Sequence, residues 1–496
     1  MVNTFSNRIT PPLSRIGGTY GNMLLFWASP FDYMQNLYDN FGDVVPIGYR
    51  PKNIFAFGPA RNQEILTNTD VFQNHSYDDI SYIAHSKEYA RELTMGLGFM
   101  NGPEHRQRRR LLRPSFMKES VSQYTGILVS LTEKFIAGWD QREMFDIYPE
   151  MEDLVMNMGL HTLMGLESSD TAGRVKNLFE EVFALMFSVP YALFPFDLPG
   201  TAYHRAGVAT QNLSLAITEL IEQKRASGAK GEDILSQLVR LQDDNPDFTV
   251  TDLVGTTAGL FRGMYPNVAS ALVCSILLLA LHPKITEQVL QEIQDQLHGR
   301  PPTEDDLDHL PLLEGVVMET LRILPPVYWL IRISRQPFAL GGYDFPTGSN
   351  VFLSSTVTQR MPEIYPEPDR FLPQRWIGTR HQPYAFIPFA AGVRRCLGAT
   401  YAINLCKIVI ATIFQRYSIS FLPHSKLDIV GLRRPVPRKG TQMQIGPAGV
   451  PVVPPDLGGN YRRFVRLDDA RDMFNHSLWG NPPRGKETTE TQSHKD

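Results

Sequence analysis

Residues 252–283, "DLVGTTAGLFRGMYPNVASALVCSILLLALHP", constrain the fold most strongly. Their apolar positions predict one long buried helix. Yet Pro266 sits inside the tract. An interior proline costs roughly 3 kcal/mol, through a lost N–H and a ring clash with the preceding turn. Tyr265 is also biased away from helical geometry by the proline after it. The helix is therefore expected to be interrupted at Pro266, with Asn267 beside the break.

The rest of the chain gives that helix ordinary surroundings. It has 496 residues, 43% hydrophobic and 20% charged. That composition is globular and large enough to bury a core without staples. A net charge of −4 gives no global attraction to nucleic acid. The three cysteines, Cys274, Cys396 and Cys406, are far apart and odd in number. They form no disulfide framework and suit a reducing compartment, so a soluble cytoplasmic protein is expected. No run is expected to approach the roughly 18 apolar residues that a transmembrane segment needs. "MLLFWA" at 23–28 lacks the basic flank and cleavage site of a secretory signal and reads as a packed N-terminal element.

Along the chain, residues 1–20 read as an irregular lead-in. Residues 43–73 read as two strands and a short helix, because β-branched and aromatic runs are punctuated by Gly and Pro. From about 103 to 320 the pattern is mainly helical, and "KITEQVLQEIQDQL" (284–297) is cleanly amphipathic. Residues 325–390 are Pro-rich with short strands such as 350–355. Residues 398–417 are helical again. The expected fold is mainly α with a minor β region (α+β), in one large domain over 21–450. Residues 451–496 form a C-terminal extension, expected to be disordered from about 480.

"FIPFAAGVRRCLGATYA" (386–402) places a lone cysteine between glycines just before a helix. Glycine lets backbone approach a flat ligand closely, and a helix N-terminus favours a thiolate. On spacing alone, a buried structural cysteine is the favoured reading of Cys396. The wider pattern decides between them. Phe389-x-x-Gly392-x-Arg394-x-Cys396-x-Gly398 resembles the haem-binding loop of the cytochrome P450 family. Glu319-x-x-Arg322 in "ETLR" and Arg375 in "FLPQRW" resemble two further signatures of that family, in the expected order. The resemblance covers roughly residues 40–430.

The resemblance implies a fold built around a buried haem b whose iron takes the thiolate of Cys396. It implies that Glu319, Arg322 and Arg375 form an ion network behind the cysteine loop. It implies that His105, Arg109, Arg332 and Arg394 hold the haem propionates, while Arg106 belongs to a solvated face. Cys406 and Cys274 read as core. Ala390 stands where the family usually has glycine, which tightens the loop.

The long helix resembles the family's oxygen-activating helix. There the usual acid–alcohol pair is replaced by Pro266-Asn267, with Tyr265 next to it. These three are the candidate catalytic positions. Proline has no proton to give, and a carboxamide is no acid near neutral pH. Arg262 is expected to face away from the haem. The leading reading is a monooxygenase that oxidises a lipophilic small molecule with dioxygen. Its electrons come from a separate ferredoxin- or flavodoxin-type partner. One alternative is a peroxide-using or hydroperoxide-rearranging enzyme, because the acid–alcohol pair is missing. Another is a non-catalytic haem-binding sensor or carrier. "FALMFSVPYALFPF" (183–196), Phe261, Tyr265 and "VYW" (327–329) are candidate pocket linings.

Overall fold

The computed structural model describes residues 18–467, apart from residues 48–52, 77–78, 80–95, 168, 187, 189, 192–193, 195, 432–433 and 455. Residues 1–17 of the expected lead-in and the tail from about 480 lie outside the described residues.

The helix Val250–Leu281 runs through the middle of the protein. Its start is set by a capping box. Thr249 Oγ1 accepts from the N–H of Asp252 at 3.2 Å, and Asp252 Oδ2 accepts from the N–H of Thr249 at 3.0 Å. The helix is long and apolar enough to cross a membrane, but 89% of its apolar window is buried within the protein. It is a core helix.

The expected interruption at Pro266 is not there: the helix is continuous from end to end. Tertiary contacts outweigh the local cost. Tyr265, Pro266, Val268, Ala269 and Ser270 are all buried. Ser270 Oγ donates to the Pro435 carbonyl at 2.6 Å, and Cys274 Sγ lies 3.5 Å from the same oxygen. Asn267 Nδ2 donates to the Gly263 carbonyl at 2.8 Å, reinforcing the turn that the proline weakens.

Helices wrap this axis. Ile147–Met164 packs along it, and Asp170–Met186 pairs with Ala202–Ala226 outside. Pro311–Ile323 and Ala399–Phe414 flank its other side. Closest approach occurs at Gly159, where an added Cβ would meet Met264 and would lie 3.1 Å from Phe261.

The β region is larger than the sequence suggests. In spatial order, one sheet contains Val44–Ile47, Asn53–Ala56, Asn350–Ser354, Trp329–Ser334 and Phe72–Gln73. Asn53–Ala56 runs parallel to Asn350–Ser354, and the remaining pairs are antiparallel. Strands Met144–Asp146, Gln442–Pro447 and Tyr417–Phe421 form a second sheet, and two short hairpins complete the set. Phe26, Phe55, Phe352 and Trp329 pack ring on ring over one face of the larger sheet. This confirms a packed N-terminal element only for Phe26, since Leu24 and Leu25 are exposed.

Beyond residue 450 the chain still belongs to the core. Leu457, Tyr461, Phe464 and Val465 are buried. The Phe464 carbonyl accepts from the buried Arg360 guanidinium at 2.8 Å, and its ring meets Phe31 at 5.2 Å.

The Gly159 contact yields a test of this packing. Gly159→Ala should cost about 1–3 kcal/mol through overpacking. Thermal melts of Gly159→Ala with and without Met264→Ala should show partial relief in the double variant. Strict additivity would place Met264 away from Gly159.

Candidate functional site

A cavity of about 520 Å³ lies between the long helix, the strand Trp329–Ser334, the helix Gly102–Leu112 and the segment 388–398. Cys396, on that last segment, is exposed to the cavity although it lies deep in the protein.

Local geometry explains how the loop presents it. The N–H of Cys396 donates to the Phe389 carbonyl at 2.8 Å, closing the loop on itself. Ala390 has φ +54°, in the left-handed region that glycine tolerates better, so the departure noted in the sequence carries real strain. Gly392 has φ +64°, and a Cβ there would come within 3.1 Å of the Leu66 carbonyl oxygen. Gly398 caps the helix Ala399–Phe414. Burial pushes the Cys396 thiol up, while the Gly398 N–H and the charges of Arg109 and Arg395 oppose that.

Behind the loop, Glu319 and Arg322 are fully buried and doubly hydrogen-bonded, at 2.8 Å for each pair. Arg375 Nε reaches Glu319 at 3.0 Å, and Trp376 Nε1 reaches it at 2.9 Å. The structure thus brings Glu319, Arg322 and Arg375 into one cluster. Burial raises the Glu319 carboxyl, but pairing with Arg322 and Arg375 outweighs this and holds it below its ordinary range.

His105, Arg109, Arg332 and Arg394 all line the cavity. Among the described residues none of them forms an ion pair with a carboxylate. Arg332 is 6% exposed and, among the described residues, its side chain hydrogen-bonds only to the Ile331 carbonyl, at 2.8 Å. Its guanidinium is lowered to about 10 by burial and by the nearby Arg394. Arg109 donates to the Arg395 carbonyl at 2.5 Å. His105 is lowered to about 4 by burial, then by Arg394, Arg109 and Arg106. Arg394 differs from the others, because its donors go to the Leu97 carbonyl at 3.0 Å, the Met100 carbonyl and Asn101 Oδ1 at 2.7 Å. It latches the segment 97–101 onto the cysteine loop.

A buried cation such as Arg332 without a carboxylate beside it is costly, so this edge is built for anionic groups brought from outside. Gly98, Gly263 and Gly398 also line the cavity, and a Cβ on any of them would meet no atom within 4 Å. The protein itself gives them no reason to be glycine. A flat group lying against them, with carboxylates at the cationic edge, supplies that reason. The residues fit a haem.

Of the three candidate catalytic positions, Asn267 lines the cavity and Pro266 and Tyr265 do not. The Tyr265 ring stacks near Phe261 at 6.1 Å and tilts toward Phe183 at 6.0 Å, and burial, then Glu152, raises its phenol. Phe261 stacks on Phe179 at 4.1 Å, also outside the cavity. Of residues 327–329 only Val327 lines it, and no described residue of 183–196 does. Phe389 and Gly398 line it, as does Cys406, which is fully buried with its thiol pushed up to about 12. Arg262 lies over the Phe99 ring at 5.3 Å, outside the lining.

One functional residue is not visible in the sequence. Arg108, between His105 and Arg109, turns from the cavity to pair with Asp252 at 3.0 Å, both side chains being 9% exposed. It also caps the Phe248 ring at 4.3 Å. This pins the cationic helix to the start of the long one. In the basic run 106–113 only Arg108 has a buried acid partner of this kind among the described residues, and spacing does not single it out.

Comparison with known proteins follows from this geometry. The family model described as Cytochrome P450 matches residues 11–436. Cyclooctat-9-en-7-ol 5-monooxygenase of Streptomyces melanosporofaciens is 29% identical over 82% of this chain and 89% of its own length. Pentalenene oxygenase of Streptomyces avermitilis is 26% identical over 81% of this chain and 90% of its own. Beta-amyrin 28-monooxygenase of Vitis vinifera is 28% identical over 69% and 73%. The solved structure of retinoic acid-bound cyanobacterial CYP120A1 superposes with a TM-score of 0.72 at 24% identity, covering 84% of this chain and 94% of that one. This last likeness concerns the fold alone.

The cationic edge predicts a pH dependence of the unloaded protein. Unfolded His105 binds a proton near its ordinary value of about 6.5, whereas folded His105 does so only near 4. Between these values the unfolded state holds more protons, so stability should fall as pH drops through that window. His105→Gln should flatten this part of the slope in pH-dependent thermal melts. An unchanged slope would show that His105 is not the titrating group.

Proposed function

The chain belongs to the cytochrome P450 family of haem-binding oxidoreductases, and from that premise we propose that it is a monooxygenase acting on lipophilic terpenoids. The observation that supports this best is Cys396, open to an apolar-walled cavity that is also lined by Arg109, Arg394 and the buried Arg332, none with a carboxylate partner among the described residues. The relatives add to it, because those of known activity named above act on terpenoid scaffolds by name.

A haem with a cysteine thiolate on its iron supplies the oxygen chemistry, drawing electrons from a separate ferredoxin- or flavodoxin-type donor. In this reading Cys396 holds the iron, and the Gly398 N–H and the helix behind it favour the thiolate. His105, Arg109 and Arg332 hold the carboxylates through charge-assisted bonds. Arg394 secures the wall beside them. Leu163, Leu260, Met264, Val268 and Leu330 exclude water and orient an apolar substrate. Asn267 gives one amide hydrogen to Gly263 and, as a carboxamide, is no acid near neutral pH, so it is not the group that hands protons into the cavity. Ordered water delivers them instead. With an unbroken helix and relatives named as monooxygenases, the dioxygen route is favoured over peroxide.

The reduced, carbon-monoxide-bound protein should show a Soret band strongly red-shifted from that of histidine-ligated haem. Cys396→Ala should lose it and Cys406→Ala should keep it. Terpenoid oxidation should proceed with NADPH and surrogate redox partners and exceed that with hydrogen peroxide. Turnover with peroxide alone would overturn the dioxygen reading. Retention of the band in Cys396→Ala would overturn the ligand.

A further inference from the structure

Asn267 faces the cavity from the long helix, one turn beyond Gly263. Its Nδ2 donates to the Gly263 carbonyl at 2.8 Å. Only the nitrogen of a carboxamide can face a carbonyl oxygen in this way, so the contact fixes which end of the amide is turned to the backbone. Oδ1 is left with no hydrogen-bond partner among the described residues. Beside it the wall is open, since a Cβ at Gly263 would meet nothing within 4 Å. The other side chains of this helix that line the cavity are Leu260, Met264, Val268 and Ala271, all apolar. The helix wall therefore offers one polar side chain, whose Oδ1 and second Nδ2 hydrogen have no partner among the described residues.

We infer that Asn267 Oδ1 makes this cavity selective for a terpenoid that already carries a hydroxyl, which donates to it. The inference rests on the proposed function and narrows its substrate class. A hydrocarbon filling the cavity would strip water from Oδ1 and leave it unpaired. An ether or ketone can accept only the remaining Nδ2 hydrogen and leaves Oδ1 unpaired. A carboxylate would be repelled. A hydroxyl satisfies the acceptor and holds the scaffold in one orientation. Sites built around one such bond discriminate strongly against analogues that lack it.

The holoenzyme should be titrated with cedrol and borneol, with their methyl ethers, and with the parent hydrocarbons cedrane and bornane. Binding is read as the ligand-induced Soret shift. The alcohol should bind at least about tenfold more tightly than its ether and its hydrocarbon on at least one scaffold. In Asn267→Leu the three members of each set should fall within about twofold. Asn267→Ser, which keeps an oxygen acceptor, should retain part of the preference and guards against a folding defect in the leucine variant. Equal binding of alcohol, ether and hydrocarbon to the unmodified protein on both scaffolds would overturn the inference and leave the proposed function standing. A preference that survives in Asn267→Leu would likewise overturn it. No shift with any probe would remove the terpenoid reading and this inference together.

Discussion

The carboxylate of Glu319 is fully buried and accepts five hydrogen bonds, from Arg322 Nε and Nη2, Arg375 Nε, Trp376 Nε1 and the Leu372 N–H. A buried ion pair adds little net stability over an apolar pair, but losing one member strands a charge at a cost of about 3–5 kcal/mol. The arrangement is therefore a device of position. Arg322 Nη1 donates to the Gln359 carbonyl at 3.0 Å, and Gln359 Oε1 accepts the Ile387 N–H at 3.0 Å. The Ile387 carbonyl in turn accepts the Ala390 N–H at 3.0 Å. Glu319 is thus linked by hydrogen bonds to the start of the loop that presents Cys396. The backbone strain at Ala390 persists because this scaffold over-determines it.

The cavity is the counterpart of that rigidity. Its walls are organised around something they do not themselves contain, with Arg109, Arg332 and Arg394 lining it and glycines where side chains would fit. Helix and strand bring them together from positions far apart in the chain. The Arg108–Asp252 pair fixes the helix that carries His105 and Arg109 against the start of the long helix. The Arg394 latch joins the cysteine loop to the segment 97–101. Two walls are therefore braced by charges that point away from the site, and only the remaining charges face into it.

What could be read from the sequence was what is written in short local patterns. Cys396, Glu319 and Arg322 stand in compact motifs that resemble those of the family, and their roles were read from that resemblance. What depends on tertiary context was less legible. Pro266 was expected to break its helix, because a local cost of roughly 3 kcal/mol is visible in sequence and the burial that offsets it is not. Tyr265 was grouped with Asn267 by adjacency. At about 100° per residue, two steps carry a side chain to the opposite face, whereas Gly259, Gly263 and Asn267 recur at four-residue spacing and share the cavity wall. Phe261 and the aromatics of 183–196 looked like pocket lining, yet Phe261 and Phe183 pack against other rings away from the cavity, and Phe194 and Phe196 are exposed. Arg108 was hidden among equivalent arginines, since only the fold supplies Asp252.

The central claim is that iron in this protein is held by the sulfur of Cys396. Iron K-edge X-ray absorption on the haem-loaded protein tests it most directly, because the fine structure separates a sulfur neighbour from nitrogen and oxygen. The account predicts one sulfur scatterer in the unmodified protein and none in Cys396→Ser. A first shell of light atoms alone in the unmodified protein, or an unchanged sulfur contribution in the variant, would contradict it.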